Sequence, residues 1–423
     1  MGRPLGAIDR FHLRLHRETR AAGLGGASCV LVASLEGRVP RERLARRLRE
    51  ASAVRPELGW RLGWQPGRGS VWRPGRAPEL GERSFTADLE PLVEERLAAP
   101  IDGARPLEVE LWHGPTSDTL ALRWFHPLTD ALGAARLLLW LGEEAPSAGD
   151  RPSFAAPDER LPAGFRERLE LARRYGQHAL SLAQGGPILS PARWVKDAPP
   201  GRPRVHRIRF TEEETRRFDL ARRRRAGLAE ASIIVLAAAR LCHRLLREGG
   251  GDAPAQHLAV MPVSLDPKGQ RDRLFGNNIT TLLLALPSAS LDDEAAVLAR
   301  LAAQRRAIVR DGLELGMVAS LAAFRALPDG FVHWLAGSPF AGQRGSFIAS
   351  SPGPLPLERL FGQRVVDAYT SVVPSPQPGL VIVTERQGGR LSLQLCHLDG
   401  QIPAASLAAQ SGALRADLLG EMR

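Results

Sequence analysis

The chain alternates between segments in which every second position is apolar and segments in which apolar side chains recur every three or four residues. That mixture predicts a mixed α/β protein. In the first third of the chain the strand-like segments are Ser28–Leu35, Leu107–His113 and Thr119–Phe125. Helical periodicity predicts one helix over Arg41–Ser52 and an apolar helix over Asp130–Leu141.

A break in composition separates this region from a second set of strand and helix patterns. Residues 143–163 and 185–203 are rich in Pro, Gly and Ala, and they flank one amphipathic helix at about 164–183. Strands are then predicted at His257–Val263, Ile279–Leu286, Ser346–Ala349, Arg364–Val373, Leu380–Thr384 and Leu391–His397. We therefore predict an α/β half at 1–142, a crossover at 143–203 and a second α/β half at 204–423.

Two polar residues carry local signals for helix starts. Thr211 and Glu214 have the spacing of a capping box at the start of a helix that runs to about residue 226. Asp88 is placed to cap a helix that runs to about Ala98.

Length and charge set the broad class of the protein. The 423 residues include 57 Lys and Arg against 46 Asp and Glu, which gives a net charge of +11. Such a chain can bury a substantial core, and its 44% hydrophobic content excludes disorder as a global description. The positive charge attracts phosphorylated cofactors, acidic carrier proteins, nucleic acid or anionic lipid, and charge alone does not indicate which of these classes is the partner.

The sequence shows no targeting or metal-binding signal. No apolar run approaches the ~20 residues of a membrane helix, and the first residues lack the apolar core of a signal peptide. Cys29, Cys242 and Cys396 are far apart and indicate neither a disulfide framework nor a zinc site. We expect a cytoplasmic protein with no metal and at most peripheral membrane contact.

Common catalytic and nucleotide-binding motifs are missing from the sequence. There is no Gly-rich phosphate or dinucleotide loop, no zinc-protease helix, no Cys-x-x-Cys and no Gly-x-Ser-x-Gly. The densest basic run, Arg222–Arg225, contains no aromatic residue, whereas single-stranded nucleic-acid sites combine both. We interpret it as a solvated helix face or a docking spot for a phosphate or acidic partner, and we expect no specific nucleic-acid partner.

The segment Leu120–Leu141 carries the candidate chemistry. A predicted strand ends at His126, and Asp130 follows four residues later at the start of an apolar helix. An imidazole on such a turn suits general-base catalysis because its pKa lies near neutrality. Asp130 can cap the helix and order the turn, and Thr129 places a hydroxyl beside the histidine. Taken alone, a histidine after a strand more often has a purely structural role.

This segment resembles the His-His-x-x-x-Asp-Gly motif of the chloramphenicol-acetyltransferase-like superfamily. That group includes nonribosomal peptide condensation domains, wax ester synthase/diacylglycerol acyltransferases and plant BAHD-type acyltransferases. Phe125 replaces the first His and Ala131 replaces the Gly, whereas His126 and Asp130 match. The resemblance implies that His126 is the base and that Asp130 organises the loop. Because BAHD-type members have only His-x-x-x-Asp, loss of the first His need not abolish chemistry.

Further segments resemble the wax ester synthase group in the same order along the chain. They are residues 4–15, Val260–Leu265 with Phe275–Asn277, Ser350–Pro354 and Gly362–Val365. The resemblance implies two chloramphenicol-acetyltransferase-like domains in one pseudo-dimeric chain, with an active-site tunnel between them. It also implies that Asn277 and Ser264 place polar groups near this tunnel, and that Asn277 or main-chain N–H groups stabilise an oxyanion. Gly276-Asn277 is equally compatible with a plain turn.

One departure from the family concerns charge. Members of the resembled group usually carry an Arg after the Pro-Val-Ser-x element, where it pairs with the motif Asp, but here that position is Asp266. Two carboxylates in contact repel each other. Either Asp266 points elsewhere, or Arg271, Arg273 or Arg123 supplies the cation.

The resemblance implies acyl transfer from a thioester to an alcohol or amine, with His126 as general base and no bound cofactor. The donor is an acyl-CoA or an acyl-carrier protein, whose phosphopantetheine arm enters from one face, and an acidic carrier protein is a candidate partner. The altered positions Phe125, Ala131 and Asp266 leave a second hypothesis open, a catalytically silent condensation-like protein that binds a carrier or another partner.

Overall fold

A computed structural model describes residues 2–143, 154, 157–193, 199–226, 229–250, 253–267, 273–325 and 327–421. Over these ranges the strands are β1 (Arg3–Pro4), β2 (Ser28–Leu35), β3 (Arg61–Gln65), β4 (Gly69–Arg73), β5 (Leu80–Ser84), β6 (Leu107–His113), β7 (Asp118–Phe125), β8 (Pro203–Arg209), β9 (Gln256–Ser264), β10 (Ile279–Pro287), β11 (Phe347–Pro354), β12 (Arg359–Leu360), β13 (Gln363–Val372), β14 (Leu380–Gln387) and β15 (Arg390–Leu398).

The helices in the same ranges are α1 (Ala7–Ala21), α2 (Arg41–Val54), α3 (Glu90–Ala98), α4 (Ala131–Gly142), α5 (Phe165–Ala183), α6 (Glu212–Ala226), α7 (Glu230–Glu248), α8 (Glu294–Arg310), α9 (Gly316–Ala323), α10 (Asp329–Gly337) and α11 (Ala404–Leu419). No single described helix is long and apolar enough to cross a bilayer, and the one combination that passes on length and composition is the bent pair α6 and α7.

The first large sheet has the strand order β12-β13-β2-β7-β6-β5. Its centre is the antiparallel pair β2 and β7, in which Ser28 lies opposite Phe125. The β6–β7 hairpin closes where the Gly114 amide donates to the Ser117 carbonyl over 2.9 Å. Helices α2 and α4 cover one face of this sheet, and residues such as Leu48 and Leu138 pack into its core.

The second large sheet has the order β10-β9-β11-β14-β15-β8, with β11 parallel to both of its neighbours. Helices α6, α7, α8 and α11 pack on one face through a large apolar cluster that includes Phe218, Leu236 and Leu301. The opposite faces of the two large sheets share a third cluster, in which Val30 and Trp112 of the first sheet join Cys396 of the second. One apolar layer therefore connects the two sheets.

The sheets do not follow the predicted segment boundaries everywhere. Strands β12 and β13 come from the 204–423 segment, yet they pair in the first sheet, where Tyr369 of β13 lies opposite Val32 of β2. The chain then returns to the second sheet through β14. The three segments remain a prediction as domains, but the strand exchange joins their cores, because the first sheet is incomplete without residues 359–372.

Helix α1 packs against elements from later parts of the chain. Its buried Ile8 packs in a cluster with Val318 and Leu321 of α9 and with Leu171 of α5. The side chain of Arg14 also donates to the main-chain carbonyl oxygens of Phe324 and Leu327, at 3.0 and 3.1 Å. The N-terminal helix is therefore fixed against α5, α9 and the residues that follow α9, and not against its own sheet alone.

Most predicted elements are found with shifts of one to three residues, and the capping box is confirmed. The Thr211 amide donates to the Glu214 carboxylate at 2.8 Å, and the Glu214 amide donates back to Oγ1 of Thr211 at 3.1 Å. The prediction for Asp88 is wrong, because α3 begins at Glu90 and its N-cap position is Leu89, without a side-chain cap. Cys29, Cys242 and Cys396 are buried free thiols.

The strand exchange makes the first half dependent on the second. A fragment of residues 1–203 leaves the pairing edge of β2 and an apolar face uncovered, so we expect it to be unfolded or aggregated. Co-expression with residues 204–423 should restore a soluble complex. Far-UV circular dichroism and size-exclusion chromatography measure both results. A monomeric 1–203 fragment with a cooperative unfolding transition would show that β13 is dispensable.

Candidate active site

The candidate site begins where β7 ends. All residues of β7 are buried, and the chain leaves the sheet at His126, whose amide donates to the carbonyl of Ala27 over 3.1 Å. A short 3-10 turn over residues 126–128 follows, and α4 starts at Ala131. Asp130 is the N-cap of α4 and accepts from the Gly133 amide at 2.9 Å. The turn is fixed at both ends, and the His126 side chain is partly exposed.

Phe125 occupies the position of the family's first His and is fully buried. Its ring makes edge-to-face contacts with His16, at a centroid distance of 4.7 Å, and with Trp72, at 6.4 Å. The Phe125 side chain therefore belongs to the core of the first sheet. A phenylalanine in place of the family's first His fills space in this core and supplies no polar group to the turn at His126.

The cation expected for Asp130 is Arg273. Its guanidinium is fully buried and donates to the Asp130 carboxylate at 2.9 Å, and it also contacts Asp266 through two bonds of 2.8 and 2.9 Å. Arg136 is a second cation for Asp266, to which it donates at 2.8 Å. The negative charges of the two aspartates are therefore offset by the positive charges of two guanidinium groups, those of Arg273 and Arg136.

The charges in this cluster support one another electrostatically. Burial by itself would lower the pKa of Arg273, but the carboxylates of Asp130 and Asp266 raise it far above the ordinary value. Burial would likewise raise the pKa of Asp266, and hydrogen bonds from Arg273, Asn278 and Arg136 hold it below the ordinary value instead. Both directions favour the charged forms of Arg273 and Asp266, and the Asp130 carboxylate faces Arg273.

The other two candidate cations lie elsewhere. Arg123 projects from β7 to Glu108, at 2.9 Å, and to the carbonyl of Ala99. Arg271 lies outside the described residues. Within the described part of the chain, Arg273 therefore takes the place of the arginine that the resembled family carries at position 266.

A second imidazole lies against the first. The ring of His12, on α1, stacks on the ring of His126 with a centroid distance of 3.6 Å and an interplanar angle of 11°. Both ring nitrogens of His12 and Nδ1 of His126 are enclosed, and none has a hydrogen-bond partner among the described residues. With Nδ1 enclosed, Nε2 is the nitrogen of His126 left for a substrate.

Both stacked rings are held in the neutral form. Burial lowers the pKa of His126, and its own carbonyl, the Asp130 charge and the Asn277 amide offset only part of that effect. Burial lowers the pKa of His12 well below its ordinary value, and the neighbouring His126 lowers it further. A neutral imidazole can accept a proton, which an imidazolium cannot.

Asn277 ties the main chain at His126 to α1. Its side-chain amide donates to Oδ1 of Asp9 at 2.8 Å and to the carbonyl of His126 at 3.0 Å, and its backbone amide donates to the same Asp9 oxygen. Burial raises the pKa of Asp9 to about 6, against the lowering effect of these hydrogen bonds. Since both amide hydrogens of Asn277 are engaged, its side chain is not free to donate to an oxyanion.

Thr129 is predicted as part of the active-site loop, whereas Ser264 is predicted to place a polar group near a tunnel. Thr129 is fully buried, and its hydroxyl donates to the carbonyl of Leu274 at 2.9 Å, so it joins the turn to the segment that precedes Gly276. Ser264 is exposed at the end of β9, and its hydroxyl accepts from the Asp266 amide at 3.1 Å. Thr129 therefore organises the loop, whereas Ser264 orders the chain around Asp266 and does not contact His126.

Two glycines allow this close packing. Gly276 has a φ of +78°, a left-handed conformation that other residues adopt with strain, and it lies beside Thr129 in a parallel bridge. Gly133 faces Thr129 so closely that a Cβ atom would lie 2.1 Å from its Oγ1. A side chain at Gly133 would therefore push the turn away from Arg273.

Sequence reasoning missed His12 and Asp9. The sequence carried one signal for them, since the two residues are three positions apart and lie on the same face of a helix. What the sequence does not show is that this face covers the strand-to-helix turn more than a hundred positions away.

The architecture resembles solved acyl-transfer proteins. The first condensation domain of the calcium-dependent antibiotic synthetase matches with a TM-score of 0.71 at 15% identity, over 99% of this chain and 96% of that chain. A variant of the starter condensation domain of rhizomide synthetase, in complex with C8-CoA and Leu-SNAC, matches with a TM-score of 0.67 at 14% identity, over 99% of this chain and 94% of that chain.

A third match is trichothecene 15-O-acetyltransferase from Fusarium sporotrichioides, with a TM-score of 0.68 at 13% identity, over 100% of this chain and 95% of that chain. No protein-family model matches the sequence, and no curated protein matches it. The chain therefore has the condensation-domain, chloramphenicol-acetyltransferase-like fold, as its motif predicts. The nearer link to the wax ester synthase group stays a prediction.

The buried ionic cluster predicts a large effect of removing its central cation. Arg273→Met leaves Asp130 and Asp266 with Arg136 alone, so we expect a loss of about 3–5 kcal/mol in unfolding free energy. Urea unfolding followed by tryptophan fluorescence measures it. Arg224→Ala, at an exposed position of α6, should change the value by less than about 0.5 kcal/mol. An equally small effect of Arg273→Met would contradict the cluster's role.

The environment of the stacked rings predicts how His126 titrates. Its Cε1 resonance in ¹³C-histidine-labelled protein, assigned with His126→Gln, should have its inflection below the ordinary pKa of 6.5. Because the folded-state pKa lies below that of the unfolded chain, His126 should reduce stability as the pH falls below about 6.5. An inflection at or above 6.5 would contradict the lowering of the His126 pKa by burial.

Proposed function

We propose that the protein is an acyltransferase that moves an acyl group from a thioester donor to an alcohol or amine acceptor. The observation that carries the proposal is the neutral, partly exposed His126, held on a strand-to-helix turn whose Asp130 is directed to Arg273. The shared fold supports acyl transfer in general, since the matched proteins are condensation domains and an acetyltransferase.

In the proposed reaction, Nε2 of His126 accepts the proton of the acceptor hydroxyl or amine as its heteroatom attacks the thioester carbonyl. The tetrahedral intermediate then collapses, the carbon–sulfur bond breaks, and the imidazolium returns the proton to the leaving thiolate. The products are an ester or amide and a free thiol, and no covalent enzyme intermediate is required. The stack with His12 fixes the plane of the ring, so Nε2 keeps one direction during the cycle.

The oxyanion of the intermediate requires donors other than the Asn277 side chain, whose amide hydrogens are already engaged. We assign this role to main-chain N–H groups near the turn, which cost no reorganisation when charge develops. Asn277 instead positions the base, because its side-chain amide donates both to the carbonyl of His126 and to the carboxylate of Asp9.

The substrates proposed for this site are an acyl-CoA or an acyl-carrier thioester and a small acceptor, in a cytoplasmic protein without a resident cofactor. A channel between the two halves would lead the phosphopantetheine arm to His126. The rhizomide synthetase domain was solved with C8-CoA and Leu-SNAC, which are thioester-type ligands of that protein. This agrees with the chemistry proposed here.

A silent carrier-binding protein is the second candidate. Phe125 favours it, because the family's first His is replaced by a core side chain. The presence of Asp266 where the resembled family has an arginine is weaker evidence for a silent protein than the sequence suggests, because Arg273 supplies the missing cation. Nucleic-acid binding has less support, because Arg222 and Arg225 of the basic run form ion pairs with carboxylates of the protein itself.

The experiment that separates these candidates is thiol release from a panel of acyl-CoA and acyl-carrier donors. We expect His126→Ala to lower the rate at least ~100-fold, because it removes the general base. His243→Gln changes a partly exposed histidine of α7 and should leave the rate unchanged. Equal background release by the native chain and His126→Ala would support the silent protein and overturn the acyltransferase proposal.

A further inference from the structure

One face of α1 packs against the segment that carries His126. Three residues of α1, namely Asp9, His12 and His16, are three and four positions apart, so they lie on the same side of the helix. Asp9 accepts hydrogen bonds from Asn277, and the ring of His12 stacks on the ring of His126. This face of α1 therefore contacts both the imidazole of His126 and a residue that holds its main chain.

His16 holds the chain that enters β2, next to His126. Its Nδ1 accepts a hydrogen bond from the amide of Ala27 at 3.2 Å, and the carbonyl of Ala27 accepts from the amide of His126 at 3.1 Å. Gly26 permits this close approach, because a Cβ atom there would lie 2.4 Å from two atoms of the His16 ring. Burial lowers the pKa of His16 to about 4, so the ring is neutral at pH 7 and its Nδ1 can accept.

His12 acts on His126 through the face of its ring. The two ring centroids are 3.6 Å apart and the rings are 11° from parallel, whereas neither nitrogen of His12 has a hydrogen-bond partner among the described residues. The ring of Phe11 makes an edge contact with His12, at a centroid distance of 5.6 Å. The buried ring of His12 is therefore packed in place, and what position 12 presents to His126 is an aromatic surface.

The stacked rings differ in which of them can carry a charge. Burial lowers the pKa of His12 well below its ordinary value, and the neighbouring His126 lowers it further. When His126 takes up a proton, its imidazolium therefore lies over a neutral aromatic ring. A cation over the face of an aromatic ring is attracted by the ring electrons, and the attraction is stronger where water is excluded.

Two carboxylates complete the electrostatic surroundings of the stacked rings. The charge of Asp130 favours the protonated form of His126, although its carboxylate is directed to Arg273. Asp9, on the same face of α1 as His12, is buried, and burial raises its pKa to about 6. Since neither carboxylate hydrogen-bonds to either ring within the described part of the chain, the ring of His12 is the group in direct contact with the face of His126.

We propose that His12 is a positioning residue whose ring face stabilises the imidazolium form of His126 during proton transfer. The proposal rests on the acyltransferase function and deepens it. In that reaction His126 is charged only from the attack of the acceptor until the proton passes to the leaving thiolate. The stack should therefore lower the barrier of the chemical step and leave substrate binding unchanged.

The first test measures the pKa of His126 and requires no activity. The Cε1 resonance of His126 is titrated in ¹³C-histidine-labelled native protein, His12→Leu and His12→Phe. Both variants place an apolar side chain at position 12, but only phenylalanine keeps a ring face. The protonation constant of His126 should fall about tenfold in His12→Leu and stay within about threefold of the native value in His12→Phe. Equal constants in the two variants would overturn the proposal.

The second test measures kcat and KM for thiol release. His12→Leu should lower kcat about threefold to tenfold, because the imidazolium is formed only in the reaction, and should leave KM within about twofold of the native value. His12→Phe should restore most of the lost kcat. An equal loss in both variants would show that position 12 serves packing alone, and native kcat in His12→Leu would show no contribution at all. Either result would reject the proposal.

The two tests distinguish the failure of this proposal from the failure of the acyltransferase function. No thiol release by the native chain, together with a tenfold difference in protonation constant between His12→Leu and His12→Phe, would reject the acyltransferase function and leave the stabilisation of the imidazolium standing. Thiol release by the native chain, together with equal protonation constants, would reject the role of His12 alone. Far-UV circular dichroism checks that each variant folds, and His12→Met, which also lacks a ring, replaces His12→Leu if that variant does not fold.

Discussion

The candidate site depends on one buried guanidinium. Arg273 contacts the carboxylates of Asp130 and Asp266 and the carbonyl of Gly276 at once. Each aspartate would be expensive to bury as an ion without it. The cluster joins the start of α4, in the first half of the chain, to residues 266 and 273 in the second half. Its positive and negative charges are balanced only when these two halves pack together.

This constraint explains why His126 sits where it does. The N-cap carboxylate of Asp130 is turned toward Arg273, which leaves the imidazole without an acid partner and keeps it neutral through burial. Asn277 follows Gly276 and holds the His126 carbonyl, while Asp9 accepts from the same amide. Helix α1 completes the site with the His12 ring, which stacks on the ring of His126. Three regions of the chain, namely α1, the strand-to-helix turn and residues 273–277, thus position one imidazole.

The mixed α/β class was predictable from the residue pattern, because many strands alternate and the turns have Gly and Pro signals, whereas the two-domain architecture was implied only by the resemblance. His126, Asp130 and the need for a nearby arginine were also predictable, since a local motif and a charge conflict point to them. The partners of Asn277 and the stack with His12 were not, because they depend on tertiary contacts between distant segments. Helices α9 and α10 went unpredicted, since glycines at Gly316, Gly330 and Gly337 obscure their periodicity.

The central claim is that Nε2 of His126 accepts the proton of the attacking group. A crystal structure with a non-reactive thioester analogue and an acceptor bound together tests this most directly. The account predicts the acceptor heteroatom about 2.6–3.2 Å from Nε2, with the thioester carbonyl next to it. An acceptor bound elsewhere, with the imidazole sealed from both ligands by protein side chains, would contradict it.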